Sequence, residues 1–532
     1  MTQRKTQTAA YWQDQFTVGP EDTEFIYNHI LETNKLYSLD ELAIALVRRR
    51  CEAEELAARS ELQRGKLYQP QDSYVVDDQI VFAKLNFALG QVKSTRPGRH
   101  PEYGTFTVLE VALENSPEPR EFVANFAHPE VLNVGDAQSL ANLQGLVPPE
   151  ELFERYQASI RAKVRAALET SADFVEFHDQ YFLRDLLVEF HEGLFNIADA
   201  AIDINQGPLA IDALIEQMGL AEGSEITDVL RFSVNYRLAN DDRFDDVGPT
   251  GQVLWYLKRL EPPEAHQMPP RLEISELPDY DASEFEDELR AILADIDDEY
   301  SFPEDIPTTP STAKGVTIVL NYPHWRAGTL PLTPKTQPLF PTSHYNPVRF
   351  EFIDGHTGNS FAGWSVLNAK YVFGLDKWYQ KNKLPVGAYL QLKRTDDPMR
   401  IIIDFQPTRA QRDWVRVATV VNHQLAFRMN TQAINCKYDE LMIIGDSNPT
   451  QTDRLWQNAE EKDVPLYELL IQVFPELSKL NPQSTVHVKT LYSAVNVVRR
   501  FAPGSVIQEL GLHACFVPMN HGYYTFDPSL QD

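Results

Sequence analysis

Apolar residues recur at helical spacing between residues 21 and 64. Phe25, Ile26, His29 and Ile30 form one stripe, and Leu39, Leu42, Ala43 and Leu46 follow an N-capping Ser38. The pattern then changes period. Ile80-Val81-Phe82, Phe106-Thr107-Val108 and Phe122-Val123-Ala124 favour strands, with turns expected at Arg96-Pro97-Gly98 and Pro101-Glu102-Tyr103-Gly104. These predict a small barrel of about five strands over 66–127. Helical spacing returns over 148–203, where Pro148-Pro149 suits a helix start because the missing amide costs least there. Prolines and acids crowd 262–312, which predicts a mobile linker holding one acidic helix near Ser283 to Leu293. Strands resume from Val316-Thr317-Ile318-Val319-Leu320 to Ile401-Ile402-Ile403, interrupted by a short helix near Leu375 to Lys381. Residues 408–460 are mixed.

Two distant stretches, Pro208 to Leu257 and Pro465 to Asp527, repeat one pattern. Each opens on Pro-Leu and an apolar helix. Each continues into a helix with leucine five residues before asparagine, Leu230 to Asn235 and Leu491 to Asn496. Each ends in a phenylalanine, a glycine turn and an aromatic strand: Phe244, Gly251 and Trp255-Tyr256, then Phe516, Gly522 and Tyr523-Tyr524. Helices followed by a small hairpin predict winged-helix units. Asn235 to Phe244, with Gly248 and Val253-Leu254-Trp255-Tyr256-Leu257, resembles the HARE-type winged helix-turn-helix, the family that includes the N-terminal domain of the RNA polymerase delta subunit. The second copy has Cys515 where Arg243 precedes Phe244, and tyrosines in place of Trp255. Residues 21–76 read as a third, divergent copy, with its hairpin at Leu67-Tyr68 and Tyr74-Val75-Val76. The resemblance implies association with DNA or a transcription complex, and no catalysis. A second likeness covers about thirty residues: Tyr371 to Gly387 and the strand Ala388 to Arg394 are similar to the plant pseudobarrel DNA-binding domains.

The expected fold is therefore multidomain α+β, with winged-helix units and two small β-barrel-like modules. The segments are 1–65 helical, 66–130 barrel, 131–261 acidic and helical ending in a winged helix, 262–312 linker, 313–425 pseudobarrel-like, and 426–532 ending in a winged helix.

A net charge of -29 argues against phosphate binding until its location is considered. Residues 1–130 carry -6, residues 131–300 carry -24, and residues 301–532 carry +1. The acidic 131–300 region suits a basic protein partner. Asp241, Asp242, Asp245 and Asp246 would repel phosphate from the first copy. In the second copy, Lys489, Arg499 and Arg500 lie on or after the expected recognition helix. In the pseudobarrel segment, Lys370, Lys377, Lys381, Lys383, Lys393 and Arg394 are the candidate phosphate contacts. Arg48-Arg49-Arg50 is explained by helical pairing, such as Arg50 with Glu54. The basic stretch Lys93 to His100 is a candidate backbone contact.

Motifs for catalysis are absent. The chain has no phosphate-binding G-x-x-x-x-G-K-[ST] loop, no G-x-S-x-G and no Cys-His zinc spacing. His178-Asp179 and Glu189 to Glu192 lack metal-protease spacing, so no metal or cofactor is expected. Asp446 with Glu460-Glu461-Lys462 has a nuclease-like order, but on a polar helical stretch. Three scattered cysteines and a polar start fit a cytoplasmic, non-membrane protein. The expected function is non-catalytic binding of duplex DNA or an RNA polymerase-type complex. A protein scaffold whose winged helices no longer bind DNA is the alternative, and a restriction-type nuclease the third reading.

Overall fold

The computed structural model describes residues 4–85, 87–116, 118–128, 146–221, 225–275, 278–301, 315–343 and 346–531. The chain is mixed α+β and divides into two compact bodies, residues 1–191 with 223–237, and residues 192–222 with 238–532. The expected boundaries at 130 and 312 lie outside the described residues. None of the described helices is long and apolar enough to cross a membrane.

In the first body, Trp12, Phe16, Ile26, Ile30, Leu42, Leu46, Ile160, Val164 and Phe182 form one core. Ser38 starts the helix Leu39–Leu62 as expected. Its amide donates to Glu41 at 2.8 Å, and its hydroxyl accepts from the Glu41 amide at 3.3 Å, a reciprocal cap. Arg50 reaches Asp22, not Glu54. The Glu54 carboxylate instead accepts from the Lys5 amide and from the Thr6 amide and hydroxyl, at 2.7, 3.1 and 2.6 Å.

Five strands between Lys66 and Ala124 form a sequential sheet. Asn125 N to Asp72 O and Phe126 N to Pro70 O, each 2.9 Å, join its exit to its entry. The turn expected at Arg96-Pro97-Gly98 is instead strand, with Pro97 opposite Thr107. Pro97 is tolerated because the pairing with Gln79–Phe82 stops at Gln91, leaving one side of the ribbon unpaired.

In the second body, a curled seven-stranded sheet is built from β1 (Gly315–Val319), β2 (Thr329–Pro331), β3 (Val348–Asp354), β4 (Ser360–Val366), β5 (Tyr371–Phe373), β6 (Tyr389–Arg394) and β7 (Arg400–Phe405). Helix α1 (Tyr322–Ala327) follows β1, and α2 (Asp376–Asn382) follows β5. The strand order is β1-β6-β7-β3-β4-β5-β2, antiparallel throughout except for the parallel pair β3–β7. Alternation in β3 buries Val348, Phe350 and Phe352, and the two phenylalanines share a core with Ile401, Ile403 and Leu390. A ribbon of β8 (Pro407–Val421) and β9 (Gln424–Cys436) continues this module. Val415, Val417, Ile434 and Cys436 share its core, so the boundary expected at 425 falls inside β9.

Among the described residues, one order of elements occurs three times: helix, strand, helix, helix, strand, strand. In each case the last strand lies between the other two in a small antiparallel sheet. The first set runs from Pro20–Thr33 to the hairpin Phe174–Leu183, and the five-stranded sheet is inserted before its third helix. Its hairpin is therefore not at 67–76. The second runs from Glu192–Asn205 to Leu254–Leu257, and the third from Leu466–Ser478 to Tyr523–Phe526.

The repeat read from the sequence is real as an order of elements but shifted in register. Pro208-Leu209 enters the first strand of its set, whereas Pro465-Leu466 enters the first helix of its own. Leu230 to Asn235 lies on a third helix, Asp228–Ala239. Leu491 to Asn496 lies on a second helix, Val488–Val498.

The expected linker is packed at its described end, residues 293–301. Leu293 and Ile296 of the helix Asp287–Ile296 enter the core of the C-terminal helices, and Asp298, Glu299 and Ser301 are buried. The composition misleads because these acids meet buried cations. Residues 302–312 lie outside the described residues.

Candidate nucleic-acid interface

Residues 315–436 hold fourteen Lys and Arg against seven Asp and Glu, a net +7 in a chain of -29. Helix α2 makes this charge available. Its inward face places Trp378 and Tyr379 in the core, which turns Lys377 and Lys381 to solvent. Lys383 ends the helix in the left-handed region at φ 52° and is exposed. Lys393 and Arg394 stand exposed at the end of β6, and Lys370 is half-buried in the β4–β5 turn. Among the described residues, Lys370, Lys377, Lys383, Lys393 and Arg394 form no ion pair, and Lys381 lies 3.5 Å from Asp354.

Lys377 and Lys381 line a cleft of about 580 Å3 walled by Phe361, Trp364, Phe373 and Trp378. Gly328, in the left-handed region at φ 67°, allows the close approach of α2. A side chain there would sit 2.6 Å from Asp376 Cβ. Burial raises the Asp354 pKa, but the His356 and Thr357 amides and Lys381 outweigh it and hold the carboxyl below its usual range. The Trp378 indole N–H is buried without a hydrogen-bond partner.

The ribbon adds cations that the sequence reading missed. Arg409, Arg412 and Arg428 are exposed, and Trp414 is 68% exposed. Cross-strand pairing puts Arg412 and Trp414 on one face with Met429, Thr431 and Ala433. A signal for this hairpin exists in the sequence. Asn422-His423, both at positive φ (50° and 63°), form a two-residue turn between two strand-like runs.

Lys489, Arg499 and Arg500 do not form the expected cationic face. They are 5%, 5% and 3% exposed, and each is bound by carboxylates. Lys489 contacts Asp295 and lies 2.8 Å from Asp439. Arg499 contacts Asp463, and donates to Val464 O at 2.7 Å and Ser275 Oγ at 2.6 Å. Arg500 donates to both Asp298 oxygens, at 2.9 and 2.8 Å, and to Glu299 at 2.8 Å. The helix carrying Lys489 is the second of its set, and all eleven of its residues are buried. The third helix of that set, Pro503–Leu512, carries Glu509 as its one charged side chain.

The acids with nuclease-like order go to separate partners. Asp446 accepts from the Asn448 amide at 3.0 Å and the Thr452 hydroxyl at 2.6 Å, fixing the start of the helix Pro449–Glu461. Glu460 lies 3.6 Å from Arg499. Asp179 pairs with Arg165 at 3.0 Å, and Glu192 with Arg243 at 3.1 Å. In the acidic turn of the second set, Asp246 accepts from the amides of Gly248 and Leu254, at 3.0 and 2.9 Å, so it serves the hairpin itself. Comparison of the chain with known protein families, curated proteins and solved structures finds no match.

Proposed function

We propose that this protein binds duplex DNA without catalysing a reaction, through the curled sheet and the β8–β9 ribbon. The carrying observation is the segregated charge. Residues 315–436 hold a net +7, and their exposed cations lie around α2, the end of β6 and the ribbon; of the cations named there, Lys381 alone meets a carboxylate among the described residues, Asp354 at 3.5 Å. Phosphate contacts from such lysines and arginines position a duplex, and an exposed ribbon of two strands has the dimensions of a major-groove reader. The likeness to pseudobarrel DNA-binding domains rests on the stretch from Tyr371 to Arg394, in which β5, α2 and β6 follow one another.

The three helix–sheet sets are read as winged-helix units that dock protein, an RNA polymerase-type complex or another basic partner. One observation favours this for the last set: its buried second helix and its third helix without a cation offer nothing to phosphate.

The test is a titration of the full chain with duplex DNA at several salt concentrations. Binding should weaken as salt rises, by a slope of roughly 0.9 per phosphate neutralised. Lys377→Glu, Lys381→Glu and Lys383→Glu together should lower affinity at least roughly tenfold, with an unchanged unfolding midpoint. Absence of binding at low salt would sink the DNA reading and leave the scaffold.

A further inference from the structure

Asp245, Glu261 and His266 come from three successive pieces of chain. Asp245 is on the strand Phe244–Asp246, Glu261 follows the turn Lys258–Leu260, and His266 follows the turn Pro263–Ala265. One potential ligand atom from each lies within 4.8 Å of the other two. The Glu261 side chain is 1% exposed. Its Oε2 contacts His266 Nε2, while its Oε1 is buried with no hydrogen-bond partner. A carboxylate oxygen held out of water is costly unless a donor or a cation meets it. Burial raises the pKa of both carboxyls, and Asp245 adds to the rise at Glu261. The neighbouring Lys258 and His266 offset this only in part.

We infer that Asp245, Glu261 and His266 bind a divalent transition-metal ion of the Zn2+ class, through two carboxylate oxygens and one imidazole nitrogen. The imidazole decides the class, because Mg2+ and Ca2+ take oxygen ligands whereas Zn2+ accepts nitrogen and oxygen together. The two carboxylates balance the charge of the ion. Three protein ligands leave a position for water, and His266, with its side chain 49% exposed, lies on the entry side.

The site has a structural consequence for the cleft. Pro262 and Glu264 form part of the cleft wall, and Tyr371 donates to Glu264 O at 2.6 Å. A metal bound by Glu261 and His266 fastens this wall at both ends. The metal site stands independently of the DNA reading.

The test uses the full chain after chelation and desalting, titrated calorimetrically with Zn2+. One ion should bind per chain and raise the melting temperature. Co2+ in its place should give the visible absorption of a low-coordinate site. His266→Ala removes an exposed side chain and should preserve the fold, and Glu261→Gln keeps the shape of the carboxyl. Each should weaken Zn2+ binding by roughly tenfold or more and abolish the melting shift. No Zn2+ binding by the wild-type chain, or equal affinity in both variants, would overturn the assignment.

Discussion

Arg500 holds a buried charge in place with two acids that lie about two hundred residues earlier in the chain. Its guanidinium meets Asp298 and Glu299; Asp298 also accepts from the Tyr492 hydroxyl, and Glu299 meets His324 Nε2 at 2.8 Å. One residue therefore ties the end of the helix Val488–Val498 to the segment after Ile296 and to α1 of the curled sheet. Arg500→Ala would leave two carboxylates buried without their main cation, which costs about 3–5 kcal/mol. A urea unfolding curve should show the midpoint fall by the corresponding amount, and an unchanged midpoint would remove Arg500 from this role. The same residue marks the limit of what the sequence discloses. Its charge is legible, but its partners are set by packing over a long sequence separation, so a cation destined for the core reads the same as one destined for phosphate. The exposure of Lys377 and Lys383 is legible because their immediate neighbours, Trp378, Tyr379 and Leu384, fix the inward face of α2.

At the level of single elements, the helix Val488–Val498 starts on a histidine. His487 Nδ1 accepts the Lys489 amide at 3.0 Å, so the cap requires a neutral ring. Burial, then the charge of Lys489, lowers the His487 pKa from 6.5 to about 4, with Arg416 acting the same way and Asp439 and Glu288 opposing. The folded pKa lies below the unfolded one. The stability it protects is thus complete above pH 6.5 and is lost as pH falls toward 4, by about 3 kcal/mol. His487→Asn keeps a capping side chain that cannot gain a proton. Its unfolding midpoint should change less between pH 7 and pH 5 than that of the wild type, and equal pH dependence would count against the cap. The elements themselves were partly legible: the helical stripe at Ile26 and Ile30, the strands at 80–82, 106–108 and 122–124, and α2 follow from period, whereas the strand Ala88–His100 runs through an expected turn. The register of the repeat was not, because a leucine five residues before an asparagine satisfies the packing of a second helix as well as of a third. The Asp245, Glu261 and His266 cluster was hidden for a related reason. Its spacing matches no compact motif and is closed by a hairpin and two short turns.

Across the whole molecule, the unlike charges belong to different segments, and the ionic strength decides how far each is felt. The Debye length is about 30 Å at 0.01 M salt and about 10 Å at 0.1 M. On the proposed DNA reading, the acidic remainder would repel a duplex approaching residues 315–436 at low salt, and added salt would screen that repulsion while weakening the phosphate contacts. The logarithm of DNA affinity against that of salt should be shallower at the dilute end than at the concentrated end. A single straight line would argue against this long-range opposition. The five-stranded sheet between Lys66 and Ala124 has a different consequence, one of timing. Its core shares no residue with that of the unit it interrupts. During synthesis the sheet is complete before the helix Pro149–Thr170 exists, whereas the helix Leu39–Leu62 must await that partner. At ribosomal speeds the wait is roughly 5–20 s. The helices Pro20–Thr33 and Leu39–Leu62 therefore emerge with Ile26, Ile30, Leu42 and Leu46 lacking Ile160 and Val164, the core partners that the finished fold supplies.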